Sequence, residues 1–391
     1  MPDLHTILTN LAWPIALCIA WLAGEFGQRW TGLPRISFYG PIGFLMASSQ
    51  LGALPAVGEG PVLVLADVAF GLVLFELGYR INLRWLRTNP WFAVAGVVEA
   101  VASFVAVYYV AIAFDTGVMT ALMLAALAMS TSPATVVRII NEQRSAGQVT
   151  ERVLHLAALN CVLGVFAFNL IVGFWVAGTR ADISAAMLGG LASLAFSCAV
   201  GAAFGLIVPA LLRAIGSAQD ATVAFALAVI LLISITYTTQ LSPVVAALAF
   251  GLTARHSRVA FSQAQRNFGA LGELLTVLLF VYAASTLDWR GTVAAGLMVL
   301  AVVAARMVAK TVGVTLFSHL SGISWRKGAL TGVALVPMSV FAILQIEHAR
   351  LRGVHVLEDL RAVAAVTMLL EVFGPILLQR ALVWAREAPE T

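Results

Sequence analysis

The chain has 391 residues, of which 61% are hydrophobic and 11% charged, and a formal net charge of +4; a soluble domain carries roughly 25% charged residues. With a mean hydropathy of +0.96, it reads as an integral membrane protein, not as a soluble enzyme or a nucleic-acid-binding protein.

Apolar stretches of about 17 to 25 residues recur from end to end, the length that crosses a bilayer as a helix, whereas a barrel would show alternating runs of about ten. The expected fold is all-α and polytopic. In chain order, thirteen spans fall near 7–28, 36–50, 60–79, 90–114, 118–138, 152–178, 184–212, 221–239, 242–255, 269–286, 291–318, 327–346 and 361–384. The second and ninth are short, and are open to being tilted, re-entrant or merged with neighbours. No segment between spans is long enough for a soluble domain. Asp3 and His5, rather than a basic cluster, precede the first span, which therefore reads as an ordinary span and not a cleaved signal peptide.

The third and fourth spans carry the acids Asp67, Glu76 and Glu99, each expected to serve as a helix-packing or ion-pair partner. The fifth is interrupted by MSTSPATVV (129–137), which places Ser130, Thr131, Ser132 and Pro133 inside an apolar run. A kinked helix with hydroxyls bonded to their own carbonyls is one reading of it. The sixth span opens near His155 and carries Asn160 and Cys161; the seventh has a small-residue face at Gly201 and Gly205, suited to close helix packing. Glu273 is expected to open the tenth. In the eleventh, AVVAARMVAKTVGVTLF sets Arg306 and Lys310 four residues apart on one face, where a charge costs at least about 2.5 kcal/mol unless paired or hydrated. Arg306 could snorkel to an interface; Lys310, nearer the middle, is the stronger functional candidate. Gly332 and Pro337, with Ser339 beyond, interrupt the twelfth span. His348 and His355 in EHARLRGVH read as a solvated loop, without a third ligand for a metal.

Cations set the orientation. Sixteen Lys and Arg residues fall in or at the edges of the loops on one side, among them Arg29, Arg80, Arg138, Arg255 and Lys327, and five on the other, leaving Arg306 and Lys310 unplaced. This bias puts the N-terminus outside, the C-terminus in the cytoplasm, and anionic lipid headgroups beside the basic rim. Cys18, Cys161 and Cys198 all lie inside spans, which offers neither a disulfide framework nor a zinc pattern. Trp30, Trp85, Trp91, Trp289 and Trp325 sit at span ends as interfacial anchors. The two interrupted spans lie an odd number of spans apart and so run in opposite directions, which is the mark of an inverted repeat whose discontinuous helices cross near the midplane in a secondary transporter.

LADVAFGLVLFELGYRINLRWLR, ALAMSTSPATVVRIINE, LSPVVAALAFGLTAR, RMVAKTVGVTL and SWRKGALTGVALVPMSVFAIL occur in this order. In that order and spacing they resemble the cation:proton antiporter superfamily, in particular its bacterial branch of sodium/proton and potassium-efflux exchangers. The resemblance implies a monovalent cation/proton antiporter with no cofactor. It also implies a homodimer with a dimerisation domain and a mobile core domain moving like an elevator, with core elements near 90–178 and 291–384 and discontinuous helices near 118–138 and 327–346. Thr131, Ser132 and Pro133 would be the unwound centre of one crossing helix, with Pro337 in the other and Lys310 beside the site.

The chain departs from the family at one position. Where the family carries an Asp-Asp or Asn-Asp pair, LHLAALNCVLGV has Asn160 followed by Cys161. A buried thiol is a poor ligand for a hard alkali ion. Three routes remain: Lys310 itself carries the proton; a displaced acid, Glu99 or Asp67, faces the site; or half-helix amides with Lys310 and no local carboxylate take an anionic solute. A scaffold kept as a non-transporting sensor or regulatory subunit is the alternative outside transport.

Overall fold

In the computed structural model the described residues are 4–55, 61–177, 183–214, 217–255, 258–286, 296–338, 342–346 and 361–388, and they form helices and turns with no strand among them. The helices are α1 (Leu4–Thr31), α2 (Ile36–Met46), α3 (Pro61–Arg80), α4 (Leu83–Thr88), α5 (Pro90–Ala113), α6 (Val118–Met129), α7 (Pro133–Glu142) and α8 (Gln148–Ala177). They continue as α9 (Ile183–Ala214), α10 (Ala218–Thr238), α11 (Pro243–Ala254), α12 (Arg258–Ser285), α13 (Gly296–Leu316), α14 (Trp325–Ala334) and α15 (Arg361–Trp384), and residues 342–346 are also helical.

Among the described residues, nine segments are long and apolar enough to cross a membrane, with α6 and α7 counted together, and α2, α11 and Gly272–Ser285 are shorter apolar helices. The protein is multi-pass. Burial sorts the segments by position: 94% of the most apolar window of Val118–Glu142 is buried, against 22% for that of Met187–Ala214. The broken segment is therefore central, while α9 turns Leu188, Phe196, Leu206 and Ile207 outwards. α5 packs on α6 and α13, α13 on α14, α14 on α15, and α6 on α8. A second set joins α3, α9 and α11, with α12 against α2, α3 and α10. Small residues permit that contact: a Cβ on Gly201 would lie 2.0 Å from the Ala246 carbonyl oxygen, and one on Gly205 would lie 1.6 Å from Thr253 Oγ1. The small-residue face of the seventh span thus meets α11.

Several expectations need correction. α12 begins at Arg258, so Glu273 lies inside the helix rather than at its start, and it bonds Arg35 at 3.5 Å and Arg138. The first half of α12, RVAFSQAQRNF, is too polar to register as a span yet is still helical. α4 was not expected from apolar length; the Asn82 side chain caps it by accepting from Trp85 N at 3.3 Å. Trp30, Trp91 and Trp325 are exposed, but Trp85 packs edge-on against Phe92 and tilted against His155, under the Arg152 guanidinium. His155 is buried: Nε2 accepts from Asn82 N at 2.9 Å and Nδ1 faces the Glu151 carbonyl at 2.7 Å. Trp289, Ser339, His348 and His355 lie outside the described residues.

Candidate functional site

The interruption at 130–132 follows from Pro133. A residue before proline is driven to extended backbone, and Ser132 is extended at φ −63°, ψ 106°. Pro133 then starts α7 at the position where a missing N–H costs nothing, and Ser132 Oγ caps the helix by accepting from Thr135 N at 3.2 Å. In a continuous helix, the amides of Ser132, Pro133 and Thr135 would have bonded the carbonyls of Ala128, Met129 and Thr131. Here Pro133 has no N–H, Thr135 N is spent on the cap, and Ser132 N donates instead to the Pro337 carbonyl at 2.9 Å. α14 likewise stops at Ala334, with Leu335, Val336 and Pro337 running on as non-helical backbone. The two interruptions meet, and Thr131 Oγ1 donates to the Leu335 carbonyl at 3.0 Å.

Buried carbonyls must find donors, and α13 and α8 supply them. Arg306 donates from Nε to the Ala128 carbonyl at 2.9 Å, from one terminal nitrogen to Ser130 at 2.6 Å and to Leu335 at 3.5 Å, and from the other to Val336. Lys310 Nζ takes the Met129 carbonyl at 3.0 Å, and Cys161 Sγ donates to the Thr131 carbonyl at 3.2 Å. Arg306 therefore does not snorkel. It is 0% exposed and joins the C-terminal ends of α6 and α14, each of which presents a partial negative charge of roughly half a unit.

The same cluster contains one carboxylate. Glu99, on α5 and fully buried, places Oε2 3.0 Å from Lys310 Nζ. Its Oε1 accepts from Asn160 Nδ2 at 2.5 Å, and that nitrogen also reaches Thr131 Oγ1 at 3.2 Å. Asn160 Oδ1 is buried without a hydrogen-bond partner among the described residues. Gly313 permits the close approach of α13 to α5, since a Cβ there would lie 2.6 Å from Glu99 Cβ.

Of the residues singled out in the sequence, Thr131, Ser132, Pro133, Asn160, Cys161, Arg306, Lys310, Pro337 and Glu99 come together at this crossing. Asp67 is buried on α3, outside the helices that carry Glu99, Asn160, Arg306 and Lys310. Of the three routes, the second finds its group in place, since Glu99 meets both Lys310 and Asn160, and a local carboxylate is present where the third requires none. Gly313 was not singled out, although a glycine three residues beyond Lys310 on the same helix was a readable signal. The carbonyls of Ala128, Met129, Leu335 and Val336 carry no side-chain signal at all.

A family described as sodium/hydrogen exchanger, transmembrane, matches residues 15–384 of the chain. Among curated proteins nothing matches. Two structures of the sodium proton antiporter MjNhaP1 from Methanocaldococcus jannaschii are similar in fold. One, at pH 8, has a TM-score of 0.70 at 12% identity over 97% of each chain. The other, an electron-microscopy map, has a TM-score of 0.74 at 14% identity, over 98% of this chain and 97% of that one.

Proposed function

The chain belongs to the sodium/hydrogen exchanger family, and from that membership we propose that it exchanges a monovalent cation, sodium or potassium, for protons across a cell membrane. The observation that carries this reading is the buried meeting of two interrupted helices around Lys310, Asn160 and Glu99. Discontinuous helices supply ion sites at the midplane of secondary transporters, with gating by movement of one bundle against the other. In this reading α5 to α8 and α13 to α15 move as the core of an elevator, and the helices α1 to α3 and α9 to α12 hold the membrane and a second copy of the chain. The fully buried carboxylate of Glu99 supplies the hard oxygen ligand that an alkali cation takes.

The test is ion-gradient-driven proton movement in liposomes containing the purified chain. Sodium- or potassium-dependent movement is expected, with choline inert; its absence for both ions across a range of pH would refute the reading and leave a non-transporting role. For the proposed orientation, a C-terminal tag should be reachable only from the cytoplasm and an N-terminal tag only from outside.

A further inference from the structure

We propose that Glu99 is the coupling carboxylate of this exchanger, the group that holds a proton and the transported monovalent cation in turn, supplied from α5 in place of an acid on α8. The proposal rests on the exchanger reading and deepens it. Position 161, beside Asn160 on α8, carries a thiol whose Sγ is already engaged as donor to the Thr131 carbonyl. A group already serving as a backbone donor cannot also be the anionic ligand of a hard ion.

Glu99 has what Cys161 lacks. It is the acid at the crossing, 0% exposed, and hydrogen-bonded through both oxygens. The charged and polar groups that face it are Lys310 and Arg306 from α13 and Asn160 from α8, which in turn reaches Thr131 just past the end of α6. Oxygens suited to an alkali cation belong to the same hydrogen-bond network: its own pair, Thr131 Oγ1 and Asn160 Oδ1. The last is the second, independent sign of a ligand, because a buried amide oxygen without a partner is a cost that a bound cation removes.

Lys310 Nζ stands where such a cation would stand, bonded to both Glu99 Oε2 and the Met129 carbonyl, at 3.0 Å each. The exchange step balances as follows. On one side of the membrane the neutral carboxyl releases its proton to water and the carboxylate takes the cation, while the ammonium keeps the Met129 carbonyl. On the other side the cation leaves and a proton from water returns to the carboxylate oxygen. No oxidant, reductant or covalent intermediate takes part.

The experiment has a flux arm and a labelling arm. Sodium- and potassium-driven proton flux in liposomes is compared for the wild-type chain, Glu99→Gln, Glu99→Asp and the exposed control Glu151→Gln. Glu99→Gln should fall to the level of empty liposomes, Glu99→Asp should retain ion-dependent flux with a changed cation dependence, and Glu151→Gln should match wild type. In the second arm, the wild-type chain in detergent is treated with a hydrophobic carbodiimide, which modifies neutral buried carboxyls, and the label is mapped by mass spectrometry. Labelling should fall on Glu99 and be suppressed by sodium or potassium chloride but not by choline chloride.

Wild-type flux that persists unchanged in Glu99→Gln overturns the assignment and leaves the exchanger reading intact. If the Gln variant does not fold, the labelling arm decides: no label on Glu99, or a label indifferent to the cations, overturns the assignment. Cation-protected labelling without wild-type flux supports Glu99 as the cation ligand while sinking exchange, and failure of both arms sinks both.

Discussion

Arg306→Met removes the guanidinium that joins the ends of α6 and α14 and leaves an unbranched side chain of shorter reach. Four backbone carbonyls lose a donor, but Leu335 keeps Thr131 Oγ1 at 3.0 Å, so three are orphaned: Ala128, Ser130 and Val336. A buried acceptor left unsatisfied costs about 1–3 kcal/mol, and relief from burying the unpaired cation offsets part of the loss from the three. The variant should therefore lose about 3 kcal/mol of stability, the low end of three such costs. The comparison is Arg326→Met: Arg326 donates to the Trp384 carbonyl at 3.1 Å at an exposed site, and a change there should cost within about 0.5 kcal/mol. Arg306→Lys should fall between them, since a compact ammonium cannot span both helix ends as the guanidinium fork does. Denaturant melts of tryptophan emission in one detergent would measure all three. If Arg306→Met melts with Arg326→Met, the guanidinium does not hold the crossing and the accounting of carbonyls given above is wrong.

Gly313→Ala would drive a methyl to 2.6 Å from Glu99 Cβ and 2.7 Å from its Cα; overpacking of this kind costs about 1–3 kcal/mol, and the same melts should show it together with reduced proton flux, while a wild-type melt would mean that α13 and α5 are further apart. Lys310→Ala should abolish or alter flux and Lys327→Ala should not, because Lys310 is 0% exposed against Glu99 whereas Lys327 is 34% exposed with Glu387 at 3.6 Å; equal, small effects would make Lys310 merely structural. Cys161→Asp should change the pH dependence of ion-driven flux by adding a second carboxyl beside Thr131, while Cys198→Asp, at an exposed position on α9, should not; identical profiles for the two variants would remove position 161 from the site.

The spans were legible because apolar length is a direct physical requirement of the bilayer, and the interruptions because Pro133 and Pro337 forbid amide donors at fixed places. α4 and the first half of α12 were not, since six polar-flanked residues capped by Asn82 and a mixed helix such as RVAFSQAQRNF leave no such trace. At the crossing, the four-residue spacing of Arg306 and Lys310 already put both on one face. Their partners stayed hidden for two different reasons. Among the described residues Arg306 bonds main-chain oxygens, which every residue has, and Lys310 meets an acid 211 positions away in the chain, which periodicity cannot connect. Glu99 was visible as one buried acid among three; what selected it was the approach of α13 to α5 at Gly313.

Arg306 and Lys310 lie one helical turn apart, yet their bonds divide their roles. Among the described residues every hydrogen-bond partner of Arg306 is a backbone carbonyl, none of which takes up a proton, so in the proposed cycle it would keep α6 and α14 joined. Lys310 bridges one acceptor that cannot titrate, the Met129 carbonyl, and one that can, Glu99. A proton or cation arriving at the carboxylate weakens one side of that bridge and leaves the ammonium to the carbonyl end of α6, whose partial negative charge draws it. In the proposed exchange, occupancy of the carboxylate would thereby be felt at the interrupted helix itself, a physical link between what is bound and how the two helix ends are held.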